Sequence, residues 1–360
     1  MSALNLHIGT CKKGDSNTIA DVEGVSVGHC TLIQGEGPLI PGKGPVRTGV
    51  TAIVPHPGNV YQEKLLANCH VINGYCKPIG LTQVRELGVL ETPIVLTNTL
   101  SVGTAADALI QYMLDRNPDI GVTTGSVNPL VLECNDSYLN DIRGRHVRTE
   151  HVMTALANAH HDFEQGAVGA GTGMSAFEFK GGIGSSSRVA TIMDNTYMVG
   201  VLVLSNFGRR EDLVINGVPV GKELADWPGT NRITEGERGS IIVVVATDCF
   251  LTPRQLGRVA RRAGIGLART GGNSYHGSGD VVFAFSTAQK IFHDSDTAVE
   301  LKAVPDHLLN QVFTAAAEAT EEAIVNSLLY AETTDGRDNR VRYHIPEEEI
   351  NAILRRECGP

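Results

Sequence analysis

Long apolar runs and short polar breaks alternate along this chain, and the sharpest boundary falls at Gly239–Ser240. A polar, glycine-broken stretch ends at Gly239, and Ser240 opens an unbroken aliphatic run from Ile241 to Val245. β-Branched residues in such a run predict a strand buried on both faces. Residues 51–55, 92–97, 130–133, 189–193, 197–204 and 281–285 read as further strands. The pair 189–193 and 197–204 forms a hairpin turning through Asp194, Asn195 and Thr196. Residues 19–29 alternate apolar and polar positions around glycines and read as short strands. Apolar positions at helical spacing predict helices over 102–114, 150–163, 306–330 and 347–356. A modest helix is predicted over 62–71, where Leu65, Leu66, Cys69 and His70 share a face. Thr252, Pro253 and Gln255 supply the N-cap, N1 and N3 signals of a helix running to about Arg269.

Strands and helices alternate or cluster without an internal repeat, which leaves a doubly wound α/β sheet or a layered α+β sandwich. The hairpin favours a sheet with antiparallel pairs, and a four-layer αββα arrangement suits strands that are apolar on both sides. Residues 35–44 hold two prolines and four glycines and read as a loop. Residues 209–238 are charged, glycine-containing and hold the single tryptophan, Trp227. They read as an exposed connector, a place where processing could occur.

Composition narrows the function classes. A chain of 360 residues can bury a sizeable core as one large domain or two ordinary ones. With 40 glycines and only 5% aromatics, it relies on tight turns and close backbone approach more than on large rings. A formal charge of −10 offers no broad basic surface, so nucleic acid is not an expected partner. No stretch approaches 18 apolar residues, which argues against a membrane span. Seven scattered cysteines without a CxxC pair point to reduced thiols and a cytoplasmic setting. The first residues lack a basic segment followed by an apolar one, so no secretory signal is expected.

Candidate chemistry starts at Ser240. Cutting the Gly239–Ser240 bond would put a hydroxyl and a free α-amine on one residue, a nucleophile carrying its own base. The plainer reading is a turn entering a core strand. The glycine run at 166–173 matches neither a P-loop nor GxGxxG, because Met174 stands where the last glycine is needed. It reads as close backbone packing or a wall of the site. Twelve histidines include no HExxH, and Cys69, His70 and Cys76 lack a fourth ligand, so no metal and no cofactor are expected. His276, Ser278 and Asp280 would share one face of an extended segment, which does not build a triad by itself, although a hydroxyl and a carboxylate two residues apart could support another nucleophile. Glu133 ends a strand and either receives a cation or sits on a turn. Asn206 either donates to a developing oxyanion or caps its own turn. Lys180, between Phe179 and Gly181, is the lysine expected to be partly buried.

Taken together, segments 19–29, 91–103, 133–136, 179–184, 200–206, 239–248 and 277–280 resemble a family of self-processing aminopeptidases. That family includes the L-aminopeptidase/D-Ala esterase-amidases, the β-aminopeptidases and the endo-type nylon-oligomer hydrolases. The resemblance covers nearly the whole chain. It implies an αββα fold similar to that of the N-terminal-nucleophile hydrolases. It also implies one catalytic domain cut into fragments 1–239 and 240–360 that stay together. By the same resemblance Ser240 is the nucleophile, Ser278 and Asp280 support it, Asn206 is an oxyanion donor and Lys180 is a site lysine. Glu133 matches the carboxylate that receives the substrate's free amine, and Tyr138 is a further substrate-binding position. Cys249-Phe250 departs from the smaller residue and proline usual in relatives. The implied activity is release of N-terminal residues from short peptides, amides or esters, without cofactor, by a homo-oligomer, a tetramer on the family pattern. The alternatives are an endo-acting amidase on ω-amino-acid oligomers, or an unprocessed binding or scaffold protein of the same fold.

Overall fold

A computed structural model of the chain describes residues 6–227 and 239–358. In chain order the first part forms β1 (Ser26–Gln34), β2 (Val46–Val54), β3 (Glu63–Gly74), α1 (Leu81–Leu87), β4 (Val89–Leu90), β5 (Ile94–Asn98), α2 (Val102–Leu114), β6 (Leu130–Cys134) and α3 (Thr149–Ala157). Then follow the short pair β7 (Ser175–Ala176) and β8 (Phe179–Lys180), the long hairpin β9 (Ile183–Ile192) and β10 (Asn195–Asn206), and α4 (Val220–Glu223). After Gly239 come β11 (Ser240–Thr247), α5 (Pro253–Arg269), β12 (Gly279–Phe292), α6 (Asn310–Leu329), β13 (Thr334–Asp335), β14 (Val341–Arg342) and α7 (Glu347–Cys358).

Two sheets face each other, one ordered β1-β2-β5-β6 and the other β4-β3-β12-β11-β10-β9. β11 shows why this stacking is stable. Ile241, Val243 and Val245 join a core with Val259 and Ala263 of α5 and Ala315 and Ala319 of α6. Ile242, Val244 and Ala246 point the other way, into a core shared with Ile53, Leu96 and Leu132 of the smaller sheet. On that sheet's outer face, Val50, Ala52, Val95 and Val131 pack against Ala105 and Leu109 of α2 and Val152 and Ala155 of α3. The layers are therefore helix, sheet, sheet, helix, the αββα sandwich expected from strands apolar on both sides. Each buried aliphatic side chain contributes about 1.5–3 kcal/mol, so β11 holds Ser240 from both faces.

The helix start at Thr252 forms as the sequence predicts. The Thr252 hydroxyl accepts from Gln255 N, and Gln255 Oε1 accepts from Thr252 N. Other expectations need correction. Residues 62–71 are not a helix but most of β3, a strand between β4 and β12. Leu65, Ala67 and Cys69 face the space between the sheets while Leu66 faces the helices. Both faces being apolar hid the two-residue period. Adjacent strand residues point to opposite faces, which also separates Cys69 from His70. The helix predicted over 150–163 stops at Ala157, after which His160 bridges to Val27. The β9–β10 turn is Met193 and Asp194, one residue earlier than predicted. Of the connector 209–238, Arg210, Leu213, Ile215, Val218, Val220 and Leu224 are buried, so its first part is core; residues 228–238 lie outside those described.

A buried ionic cluster ties the N-terminal segment across α6. Arg188, fully buried, pairs with Glu318 and Glu322. Glu318 also accepts from the backbone N–H groups of Thr10 and Cys11 at 2.8 and 2.9 Å, and Glu322 from Lys13 Nζ at 2.6 Å. Cys11, Cys30, Cys69, Cys76, Cys134 and Cys249 are free thiols. Among the described residues no helix is long and apolar enough to cross a membrane.

Candidate active site

Four strands of the larger sheet end together at one edge. β11 pairs antiparallel with β10, with Asn206 opposite Ser240, and parallel with β12, with Ser240 opposite Gly279. β12 pairs with β3, with Gly279 opposite Gly74 and Asp280 opposite Asn73. These pairings alone bring Asn206, Ser240, Ser278 and Asp280 to one place.

Ser240 Oγ donates to the carbonyl oxygen of Gly239 at 2.8 Å. The N–H of Gly279 faces both atoms, 3.2 Å from Ser240 Oγ and 3.3 Å from Gly239 O. Ser278 Oγ donates to Asp280 Oδ1 at 2.5 Å, and Asp280 Oδ2 is buried without a hydrogen-bond partner among the described residues. Burial pushes the Asp280 carboxyl above the usual range, and the Ser278 hydroxyl works against that shift. His276 is not part of this pair; its ring lies 6.4 Å from that of Tyr75. The arrangement is a hydroxyl–carboxylate pair beside a serine, as the strand geometry led one to expect, and not a Ser/His/Asp triad.

Asn206 is held at both ends of its amide. Oδ1 accepts from Ser175 N at 2.9 Å and Nδ2 donates to Asn135 O at 2.8 Å, which leaves one amide hydrogen uncommitted. Glu133, buried in β6, accepts from Lys77 N at 2.8 Å and from the Thr99 hydroxyl. The Tyr138 ring lies under the Arg342 guanidinium at 3.5 Å, and its hydroxyl is buried without a hydrogen-bond partner among the described residues.

Gly239, Ser240, Ser278, Asn206, Glu133 and Tyr138 all line one cavity of about 1250 Å³. Asp280 sits behind Ser278. Lys180 does not line the cavity. It is fully buried, and its Nζ donates to the carbonyls of Gly171 and Met174 at 2.9 Å each and of Gly181 at 2.5 Å. Burial pulls its pKa down to about 7, although three carbonyl acceptors favour the ammonium, whose three hydrogens they match. Lys180 thus clamps the glycine run, which packs as closely as its composition suggested: a Cβ on Gly166 would stand 2.0 Å from Tyr330 O. Ser175, next to Met174, donates its N–H to Asn206 Oδ1, so a short run of backbone links Lys180 to Asn206. Cys249, the departure noted in the sequence, is buried beyond the far end of β11. About 23 Å of strand separates Ser240 from Thr247, so Cys249 does not reshape this cavity.

Sequence reasoning missed Asn73. Its Nδ2, which carries two hydrogens, shares them among the carbonyls of Tyr275, His276 and Ser278, and the β3–β12 register shifts beside it, between Asp280 and Val281. Bulges of this kind re-aim side chains next to active sites. Asn73 lies just past the segment read as a helix, and that misreading concealed its place beside Asp280.

An αββα sandwich with a serine at the head of a central strand defines a hydrolase of the N-terminal-nucleophile type. Comparison with known proteins narrows this further: the sequence pattern of peptidase family S58 matches residues 17–342. Beta-peptidyl aminopeptidase BapA of Sphingosinicella microcystinivorans is 41% identical over 360 residues, covering 96% of this chain and 89% of that protein. The crystal structure of the PH0078 protein from Pyrococcus horikoshii OT3 superposes with a TM-score of 0.96 at 64% identity, covering 99% of both chains. The L-aminopeptidase D-Ala-esterase/amidase of Ochrobactrum anthropi, described as a prototype for the serine aminopeptidases and a variant of the Ntn hydrolase fold, superposes with a TM-score of 0.90 at 38% identity, covering 97% of this chain and 96% of that one. The chain belongs to peptidase family S58, and it is a peptide-bond hydrolase of the serine aminopeptidase class.

Proposed function

We propose that this protein cuts its own Gly239–Ser240 bond and then uses Ser240, as a new N-terminus, to release N-terminal residues from short peptides, amides or esters. One observation carries the reading: Ser240 Oγ already contacts the Gly239 carbonyl at 2.8 Å, with the Gly279 N–H beside both. In the first stage Oγ attacks the Gly239 carbonyl carbon and the acyl group passes from N to O. Water then hydrolyses the ester, leaving a carboxylate on Gly239 and a free amine on Ser240. The geometry supports the Gly279 N–H as donor to the oxyanion of this step. Fragments 1–239 and 240–360 would stay together, because β11 and β12 lie between β10 and β3 of the other fragment.

In the second stage the α-amine, with a reference pKa of about 7.7–8.0, takes the hydroxyl proton near neutral pH. The substrate acyl group bonds to Ser240 as the scissile bond breaks and the leaving amine or alcohol departs with that proton. Water then hydrolyses the ester, releasing the product acid and restoring Ser240, while the free hydrogen of Asn206 Nδ2 steadies the oxyanion. Ser278 and Asp280 hold the nucleophile's surroundings polar and fixed. Glu133 receives the substrate's free amine and Tyr138 forms part of the wall. Lys180 is a positioning residue for Asn206. The cytoplasmic setting and the homo-oligomer implied by the family resemblance belong to the same proposal.

The test is a denaturing intact-mass spectrum of purified protein beside a Ser240→Ala variant. Two masses splitting between residues 239 and 240, absent in the variant, are expected. A single full-length mass from folded, unmutated protein would refute the mechanism.

A further inference from the structure

Two cations stand at the mouth of the cavity and form no ion pair with another described residue. β3 ends at Gly74 and β10 at Asn206, the strand partners of Gly279 and Ser240. Lys77 follows the first strand end by three residues and Arg209 follows the second by three. They therefore approach from the two strands that enclose β11 and β12. Both are exposed and both line the cavity. Each rests on a tyrosine: Lys77 Nζ lies 4.7 Å from the ring centroid of Tyr75, and the Arg209 guanidinium carbon 4.9 Å from that of Tyr275. A ring face attracts a cation and limits where it goes, without using up its capacity for an anion. Although the Lys77 backbone donates to Glu133, the Lys77 ammonium makes no ion pair with that carboxylate, which leaves Glu133 open to another amine. Among the described residues the cavity lining also holds Arg210 and Arg342 and the carboxylates Glu133, Glu178 and Glu211, but Lys77 and Arg209 are the two cations that stand exposed there.

We propose that Lys77 and Arg209 receive a carboxylate at the far end of the substrate, so that the favoured substrates are short peptides ending in a free α-carboxylate. This rests on the aminopeptidase reading above and adds to it the chemistry of the leaving group. A dipeptide cut at its one peptide bond releases an amino acid whose carboxylate lies one residue from the scissile carbonyl. A C-terminal amide presents no charge to the rim.

The experiment compares kcat/KM for Ala-Ala and Ala-Ala-NH2, with β-Ala-Ala and β-Ala-Ala-NH2 as a second pair, in the processed wild type and in a Lys77→Met/Arg209→Met variant. Using the ratio of acid to amide in each protein cancels the intrinsic difference between the two leaving groups. It also cancels screening of the shared amine contact. The ratio is expected to fall about fivefold in the variant, the scale that exposed ion pairs supply. Raising NaCl from about 0.05 to 0.5 M should close the same gap in the wild type and leave the variant unchanged. An unchanged ratio in the variant would overturn the proposal while the aminopeptidase reading stands. Turnover of neither pair by protein already split at residues 239 and 240 would overturn both.

Discussion

Replacing Gly239 by alanine should separate self-processing from peptide hydrolysis. Glycine at a scissile bond allows close approach of the neighbouring backbone. The need is for space: a Cβ built on Gly239 would stand 2.6 Å from Phe207 Cα and 2.9 Å from Asn206 O. Both are backbone atoms of the neighbouring strand and its extension, which cannot swing aside as a side chain would. Relieving the contact means moving the scissile carbonyl by about 1 Å, at an overpacking cost of about 1–3 kcal/mol. That carbonyl is aligned on the Gly279 N–H and on Ser240 Oγ, and a displacement of about 1 Å costs about a hundredfold in rate. Gly239→Ala should therefore process about a hundred times more slowly, followed by intact mass over time after synthesis. Once the bond is cut, residue 239 is a chain end free to move, so the processed fraction should show wild-type kcat/KM. Processing at the wild-type rate would refute the steric argument; processed protein with a hundredfold lower kcat/KM would refute the separation of the two stages.

Asp280→Asn keeps the shape of the Ser278 contact and removes its charge. Charge-assisted hydrogen bonds contribute about 1.5–3 kcal/mol, so kcat/KM should fall about 10- to 100-fold with little change in KM, as steady-state kinetics would reveal. A variant as active as wild type would remove Asp280 from the mechanism. Lys180→Met would strand the carbonyls of Gly171, Met174 and Gly181, each buried group costing about 1–3 kcal/mol, for a loss of about 3 kcal/mol in urea unfolding. The pH dependence has a definite sign. The folded-state pKa of Lys180 is pulled down from 10.5 to about 7. The unfolded chain therefore binds more protons across that interval, and stability rises with pH. The wild type's advantage over Lys180→Met should widen between pH 7 and 9, and an unchanged gap over that interval would show that the three carbonyls keep the lysine charged.

The sequence by itself determined the strand that carries Ser240, because an apolar run of β-branched residues has one good solution when two layers are available to cover it. It also determined the long helices and the Thr252 cap, whose signals are local. The αββα layering followed from strands apolar on both sides, and the same property misled the reading of β3, where Leu65 and Leu66 point to opposite cores. Order-of-motif resemblance named Ser240, Ser278, Asp280, Asn206 and Glu133. Only the tertiary structure decided how they meet, through the register that sets Asn206 and Gly279 on either side of Ser240. It alone put Asn73 under the 275–278 loop and set Lys77 and Arg209 on the wall of one cavity, from strands far apart in the chain. It also sent Lys180 into a cage of carbonyls instead of the cavity. Those placements depend on long-range pairing and on a bulge, and neither leaves a periodic trace in the residues that take part.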